Sequence, residues 1–207
     1  MGANTLAQNL GISEDEATSF LTMYFKSFPG LEEEFNKTKK EAIERGWIQI
    51  CKYTDKRYFF KQFKEMNEAK EKALSYYPED YRFKSPDEKK EFKENLYLEY
   101  PEVREYWKTF AINRGILERR SVNFKIQGSS AVQTKTALLY FLKDWTEDCF
   151  PVLSVHDELL GYIKDSPNYN LEEGLEWAKN NMIKGAEYVC RSTNMFAEME
   201  AGDSWIH

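Results

Sequence analysis

Asp157 and Glu158 stand side by side, next to His156, between two apolar runs, Phe150-Pro151-Val152-Leu153-Ser154-Val155 and Leu159-Leu160-Gly161-Tyr162-Ile163. The flanking runs read as a hairpin of buried strands with a very short polar tip. Two carboxylates at such a tip could hold Mg²⁺, a hard cation that prefers oxygen ligands and usually takes only one or two carboxylates from a protein. Adjacent side chains point to opposite faces of an extended backbone, so a tight turn is needed to bring both near one site. By themselves, acidic residues at a hairpin tip are usually solvated, and a lone histidine such as His156 is more often packed or solvent-facing than catalytic.

The elements around this tip follow from spacing and capping. Leu6 and Leu10 belong to a helix stopped by Gly11. Ser13 and Glu16 form a capping box, in which the serine side chain and the Glu16 carboxylate each satisfy a backbone N–H. Ala17, Phe20, Leu21, Tyr24, Phe25 and Phe28 then recur at helical spacing up to Pro29-Gly30. A charged helix over 31–45 closes at Gly46, so 13–46 reads as a helical hairpin. Trp47–Cys51 and Arg57–Phe60 read as a short β-hairpin. Residues 61–110 are rich in charge of both signs and punctuated by Pro78, Pro86 and Pro101, which reads as solvated helices joined by proline turns. Gln127-Gly128-Ser129-Ser130 precedes a helix with Val132, Leu138, Leu139, Leu142 and Trp145 along a buried side. Residues 171–190 form a helix with Leu175, Ala178, Met182, Ala186 and Val189 on one stripe, and Phe196–Met199 reads as one more strand.

Composition narrows the class of protein. The chain has 207 residues, 42% of them hydrophobic and 31% charged, with a formal net charge of −6. That balance is globular and excludes a simple polycationic nucleic-acid coat, while leaving room for a local basic groove. With 15% aromatic residues, many of the large side chains must be buried. Three cysteines, Cys51, Cys149 and Cys190, make a disulfide framework improbable and suit a reducing cytoplasm. Two histidines leave no structural zinc site of the usual kinds. No apolar run reaches the roughly 20 residues needed to span a bilayer.

Several strings, in order, carry a resemblance. Val155-His156-Asp157-Glu158-Leu159 resembles the third conserved motif of family A DNA polymerases, the bacterial DNA polymerase I type. Gly2-Ala3 with Leu6-Ala7-Gln8-Asn9-Leu10-Gly11-Ile12 resembles the exit of that family's nucleotide-binding fingers helix. Glu16-Ala17 through Tyr24-Phe25 and Phe28-Pro29-Gly30 is similar to its next fingers helix, and Gly46-Trp47-Ile48 into Arg57-Tyr58 to the hairpin that follows. Arg119, Asn123, Gln127 and Gly128, in the spacing R-x3-N-x3-Q-G, resemble the palm helix that touches primer–template DNA. Gly202-x2-Trp205 with His207 resembles the family's C-terminus. Each piece is modest, and their order makes the set specific.

There are also departures. Residues 61–110 exceed the family's usual link and match nothing in it. Met1 stands where the fingers helix carries Tyr, the residues that grip the incoming triphosphate do not occur, and neither does the D-x-S-Q-x-E motif with the principal metal-binding Asp. The resemblance therefore implies the C-terminal piece of a polymerase, without thumb or exonuclease domain, from a phage-like source with a split or intron-interrupted gene.

The implied fold is α+β and mostly helical: a partial right-hand polymerase fold with a short antiparallel palm sheet and flanking helices. The implied organisation is the end of the fingers over 1–46, a hairpin returning to the palm over 47–60, a charged helical insert over 61–110, and the end of the palm over 111–207. The implied activity is template-directed nucleotidyl transfer with Mg²⁺. Asp157 supplies one metal-binding carboxylate, Glu158 supports it, His156 positions the primer end, and a second Asp comes from another segment. Asn123 and Gln127 carry amides able to donate to minor-groove acceptors, which are nearly alike for all base pairs and so report geometry and not sequence. Arg119 meets a phosphate or a base edge. The bland alternatives are a surface salt bridge for Arg119 and Arg120 and helix capping for Asn123 and Gln127. The implied partners are primer–template DNA, dNTPs and an N-terminal polymerase fragment, with no membrane and with the nucleotide-binding residues unassigned. The alternative function is a non-catalytic polymerase remnant that binds DNA or a replication partner.

Overall fold

A computed structural model describes residues 2–143, 145–164 and 170–204. It is mostly helical, with two small antiparallel sheets, and it divides into two compact units.

The first unit comprises Met1–Ile48 and Arg57–Asn123. Helix α1 (Ala3–Leu10) ends at Gly11, which adopts φ 66. Helix α2 (Glu14–Ser27) starts at Ser13 with the expected capping box: Ser13 Oγ accepts from Glu16 N, and Ser13 N donates to the Glu16 carboxylate at 2.9 Å. Those bonds to Ser13 hold the Glu16 carboxyl below its usual pKa. Helix α2 ends just before Pro29-Gly30, as expected, but the next helix begins at Pro29 and not at residue 31. Pro29 is the first residue of α3 (Pro29–Arg45), where its missing N–H costs nothing and its fixed φ suits the helix. Gly46 closes α3 at φ 74, and a Cβ there would lie 2.5 Å from the Phe63 ring. Strands β1 (Trp47–Gln49) and β2 (Arg57–Phe59) pair as expected.

Residues 61–110 form α4 (Gln62–Leu74), a 3-10 turn (Glu79–Phe83), α5 (Pro86–Glu99) and the start of α6 (Glu102–Lys143). The proline turns are where the sequence put them. The helices are not merely solvated, however. Ala73, Leu96 and Val103 are buried at the centre of a cluster that includes Tyr76, Tyr77, Phe92, Tyr97, Tyr106 and Trp107. Charged side chains coat this aromatic core.

The second unit comprises Gln49–Lys56 and Phe124–His207. Its scaffold is the second half of α6, strands β3 (Cys149–Val155) and β4 (Glu158–Ile163), and helix α7 (Leu171–Val189). The Gln127–Ser130 segment is not a helix start: α6 runs through it as one helix of 42 residues. Gly128 is needed there because a Cβ would overlap the Ile50 side chain, and Ser129 Oγ donates to the Ile50 carbonyl at 2.9 Å. The buried side of α6 carries Val132, Ala137 and Phe141, whereas Leu139 and Leu142 are exposed, contrary to the expected stripe. On α7 the buried stripe is Gly174, Ala178, Asn181 and Gly185, shifted from the expected set toward smaller residues. A Cβ on Gly185 would come within 2.5 Å of Ala137, so the two helices meet at backbone distance. Tyr188 Oη donates to the Tyr53 carbonyl at 2.8 Å. Residues 194–200 form no strand, and Phe196 is exposed. Trp205 and His207 lie outside the described residues. Among the described residues no disulfide involves Cys51, Cys149 or Cys190.

Candidate active site

The chemistry-bearing tip is built by strand register. Val155 pairs with Glu158, leaving a two-residue turn of His156 and Asp157. His156 takes φ 52, the one non-glycine residue at positive φ among those described. Positive φ at the first central residue alone is the sign pattern of a II′ hairpin turn, which matches the right-handed twist of the strands. Glycine is the usual residue there, and a histidine in its place stores strain of order 1 kcal/mol. Asp157 completes the turn and Glu158 opens β4, so the two carboxylates leave the backbone at a corner and not along a straight strand. The acidic tip is thus shorter than the sequence suggested.

Further back, the register slips between Pro151 and Leu153. Proline cannot donate to the ladder, and an extra residue on that strand bends it and increases its twist. The open end is tied by Lys164, whose N–H donates to the Asp148 carbonyl and whose Nζ pairs with Asp148 Oδ1, both at 2.8 Å. Hydrogen bonding to Asp148 raises the Lys164 pKa. The strands are not the buried pair that their composition implied. Val152, Leu153 and Tyr162 are 64%, 48% and 47% exposed, so the hairpin has an apolar face with no cover among the described residues.

The tip is anchored to α6 within the second unit. Thr134 Oγ1 lies 3.5 Å from the His156 carbonyl and 3.5 Å from the Ser130 carbonyl of its own helix. One hydroxyl proton serves one of these acceptors at a time. Thr134 follows Gln127 by seven residues, which returns it to the same helix face two turns on, about 10 Å along the axis. The α6 face bearing Gln127 therefore continues to the point where the tip is held. Sequence reasoning missed Thr134; its signal was a polar residue in phase with Gln127 on a helix otherwise lined by Val132, Ala137 and Phe141.

The remaining candidates lie where the helix puts them. Asn123 and Gln127 are exposed in the interior of α6, so neither caps a helix end. Arg119, Asn123 and Gln127 recur every four residues, which keeps them on one slowly drifting face. Arg119 and Asn123 belong to the first unit and Gln127 to the second. Glu118, the nearest acid in sequence, is taken by Arg114 at 2.9 Å, and among the described residues neither Arg119 nor Arg120 makes an ion pair. His156, Asp157 and Glu158 are all exposed, and among the described residues neither tip carboxylate has a hydrogen-bond or ion-pair partner. No group of three or more His, Cys, Asp or Glu side chains that could hold a metal occurs among the described residues. The donor chemistry of Asp157 and Glu158 fits a hard cation, but only as part of a site.

This combination, an acidic hairpin tip set against a polar helix face, is matched by similarity to DNA polymerases. Over 203 residues, 97% of its length, the chain is 25% identical to DNA polymerase I of Streptococcus pneumoniae. Over 207 residues, 100% of its length, it is 26% identical to the thermostable DNA polymerase I of Thermus thermophilus. A third relative, DNA polymerase I of Bacillus caldotenax, is 26% identical over 170 residues, 81% of the chain. The resemblance read from the ordered motifs is therefore present along nearly the whole sequence. The chain spans 17%, 19% and 14% of the lengths of these three relatives. No family model matches it. No helix among the described residues is long and apolar enough to cross a membrane.

Proposed function

We propose that this chain is the part of a DNA-directed DNA polymerase that supplies one metal-binding carboxylate and a helix face for the primer–template duplex. The observation that carries the reading is the Thr134–His156 contact. It fixes the His156-Asp157 turn against the same face of α6 that bears Gln127. An exposed carboxylate pair with no ion-pair partner among the described residues, and amides on the adjoining helix that would face the duplex, are what nucleotidyl transfer would use.

In this reading Asp157 and Glu158 hold Mg²⁺ together with an Asp from a segment outside these residues. Bound there, the metal would neutralise developing phosphate charge and favour the ionised primer hydroxyl. The protein's own part is positional. The strained turn fixes the His156 ring beside the primer terminus, and the Thr134 hydroxyl keeps the turn from rotating. Asn123 and Gln127 donate to minor-groove acceptors, so a mispaired terminus loses contacts that a correct pair makes. Arg119 adds a phosphate contact, and the dNTP is gripped by groups elsewhere. The fingers, hairpin, insert and palm boundaries at 46, 60 and 110 belong to this proposal, as does the location in the cytoplasm. The exposed edge of the β3–β4 hairpin is where we place the neighbouring palm strand, because an isolated two-stranded hairpin is marginal in water and its edge offers unpaired backbone groups.

The test is Asp157→Asn in the polymerase assembly that contains this chain. Loss of primer extension with duplex affinity kept supports the reading. Unchanged extension overturns it in favour of a non-catalytic DNA- or partner-binding remnant.

A further inference from the structure

The insert contains a cleft that the polymerase reading does not use. It has a volume of about 670 Å³, within the range of small-ligand sites, and lies wholly in the first unit. Its walls are the rings of Tyr77, Tyr81, Tyr97 and Trp107. These rings are fixed by one another: Trp107 Nε1 donates to Tyr77 Oη at 3.1 Å, and Tyr77 stands edge-on to Tyr81 and Trp107 with centroids 4.8 and 6.2 Å apart. Burial also pushes the Tyr77 hydroxyl up to about 12, so it stays a neutral donor.

Charge decides what the rings would meet. Arg82 and Lys93 line the cleft with a single acid, Glu79. Both cations are exposed, and among the described residues neither makes an ion pair. The neighbouring acid Asp80 is engaged by Lys84 at 3.3 Å. Cation and ring alternate just outside as well: Arg82 lies 4.5 Å from the Phe83 centroid, Lys89 lies 5.9 Å from that of Tyr81, and Phe83 is 76% exposed. A hydrocarbon ligand would not need the two free cations, and a metal ion would find one carboxylate. A chain that alternates flat rings with anions matches both features, since each base offers a π-face and each phosphate a charge.

We propose that this cleft binds single-stranded nucleic acid, one base against the Tyr77–Tyr81–Tyr97–Trp107 rings and the adjacent phosphates on Arg82 and Lys93. The binding does not depend on the carboxylate tip. It rests on the polymerase reading only for the source of the strand, an unpaired stretch of template.

The experiment uses the intact chain and a fluorescently labelled twelve-nucleotide oligothymidylate, followed by anisotropy across a salt series. Removing two phosphate contacts with Arg82→Ala/Lys93→Ala is expected to weaken binding about tenfold and to reduce the magnitude of the salt slope by about 1.4. Both side chains are exposed, so the fold should survive their loss. In parallel, an oligonucleotide bearing 5-iododeoxyuridine is expected to photocrosslink within residues 74–107. Unchanged affinity in the double variant, or crosslinks confined to other segments, overturns the proposal. Absence of oligonucleotide binding, with Arg82- and Lys93-dependent binding of a proline-rich peptide instead, also overturns it and makes the cleft a peptide site. Asp157→Asn should leave oligothymidylate affinity unchanged. A failed polymerase reading therefore shows in primer extension, and a failed cleft reading shows here.

Discussion

The insert and the β3–β4 hairpin use large apolar side chains in opposite ways. In the insert, Tyr77, Phe92, Tyr97 and Trp107 turn inward on Ala73, Leu96 and Val103, and the charges face out. In the hairpin, Val152, Leu153 and Tyr162 remain open, and the polar tip reaches beyond them. The first forms a small core of its own; the second leaves an apolar face with no cover among the described residues. The difference separates a segment that buries its own large side chains from one that leaves them open among the described residues.

The contrast can be broken by truncation. Leu96→Ala should cost about 2–4 kcal/mol, since a fully packed leucine leaves a cavity. Val152→Ala, on the exposed hairpin face, should stay within about 0.5 kcal/mol. Urea denaturation of the two variants measures both, and equal losses would erase the distinction. In an assembly that covers this face, Val152→Ala should become costly.

A somewhat smaller effect is expected at the end of α3. Gly46→Ala puts a Cβ at φ 74 and against the Phe63 ring. The loss should be about 2 kcal/mol, read as a lower thermal midpoint. At the tip, His156→Gly should relieve strain and stabilise the hairpin by up to about 1 kcal/mol. Primer extension should nevertheless fall, because the imidazole is gone. A glycine variant both more stable and fully active would mean that the strained histidine has no role at the primer end.

The smallest effect concerns pH. Hydrogen bonds from the Ser85 side chain and backbone hold the Glu88 carboxyl below its ordinary value. Its contribution to α5 is therefore present above that value and disappears as pH falls through the lower, folded one. Glu88→Gln should flatten the acid limb of helicity, monitored by circular dichroism, with a small loss at neutral pH, where the ionised carboxyl contributes.

Much of this was legible in the sequence where chemistry is local. Ser13 with Glu16 announces its helix, Gly46 ends α3, and the run flanking His156-Asp157-Glu158 is a hairpin. Reading failed where a residue answers to a distant neighbour. Gly128 looks like a helix breaker, yet it sits inside α6 because Ile50 occupies the space of its side chain. Leu139 and Leu142 look like core, while the smaller Ala137 is the residue that meets Gly185. The carboxylates of the candidate site stood out by type. The Thr134 anchor did not, because a hydroxyl 22 positions away in sequence is paired with a carbonyl only once α6 and the hairpin have packed.

The central claim is that Asp157 and Glu158 bind a divalent metal beside the primer end. Iron-mediated cleavage tests it most directly, with Fe²⁺ replacing Mg²⁺ in the assembly bound to primer–template and peroxide and ascorbate added. The account predicts backbone scission near residues 155–158 that excess Mg²⁺ or Asp157→Asn suppresses. An active assembly with no scission there, or scission that Asp157→Asn leaves unchanged, would contradict it.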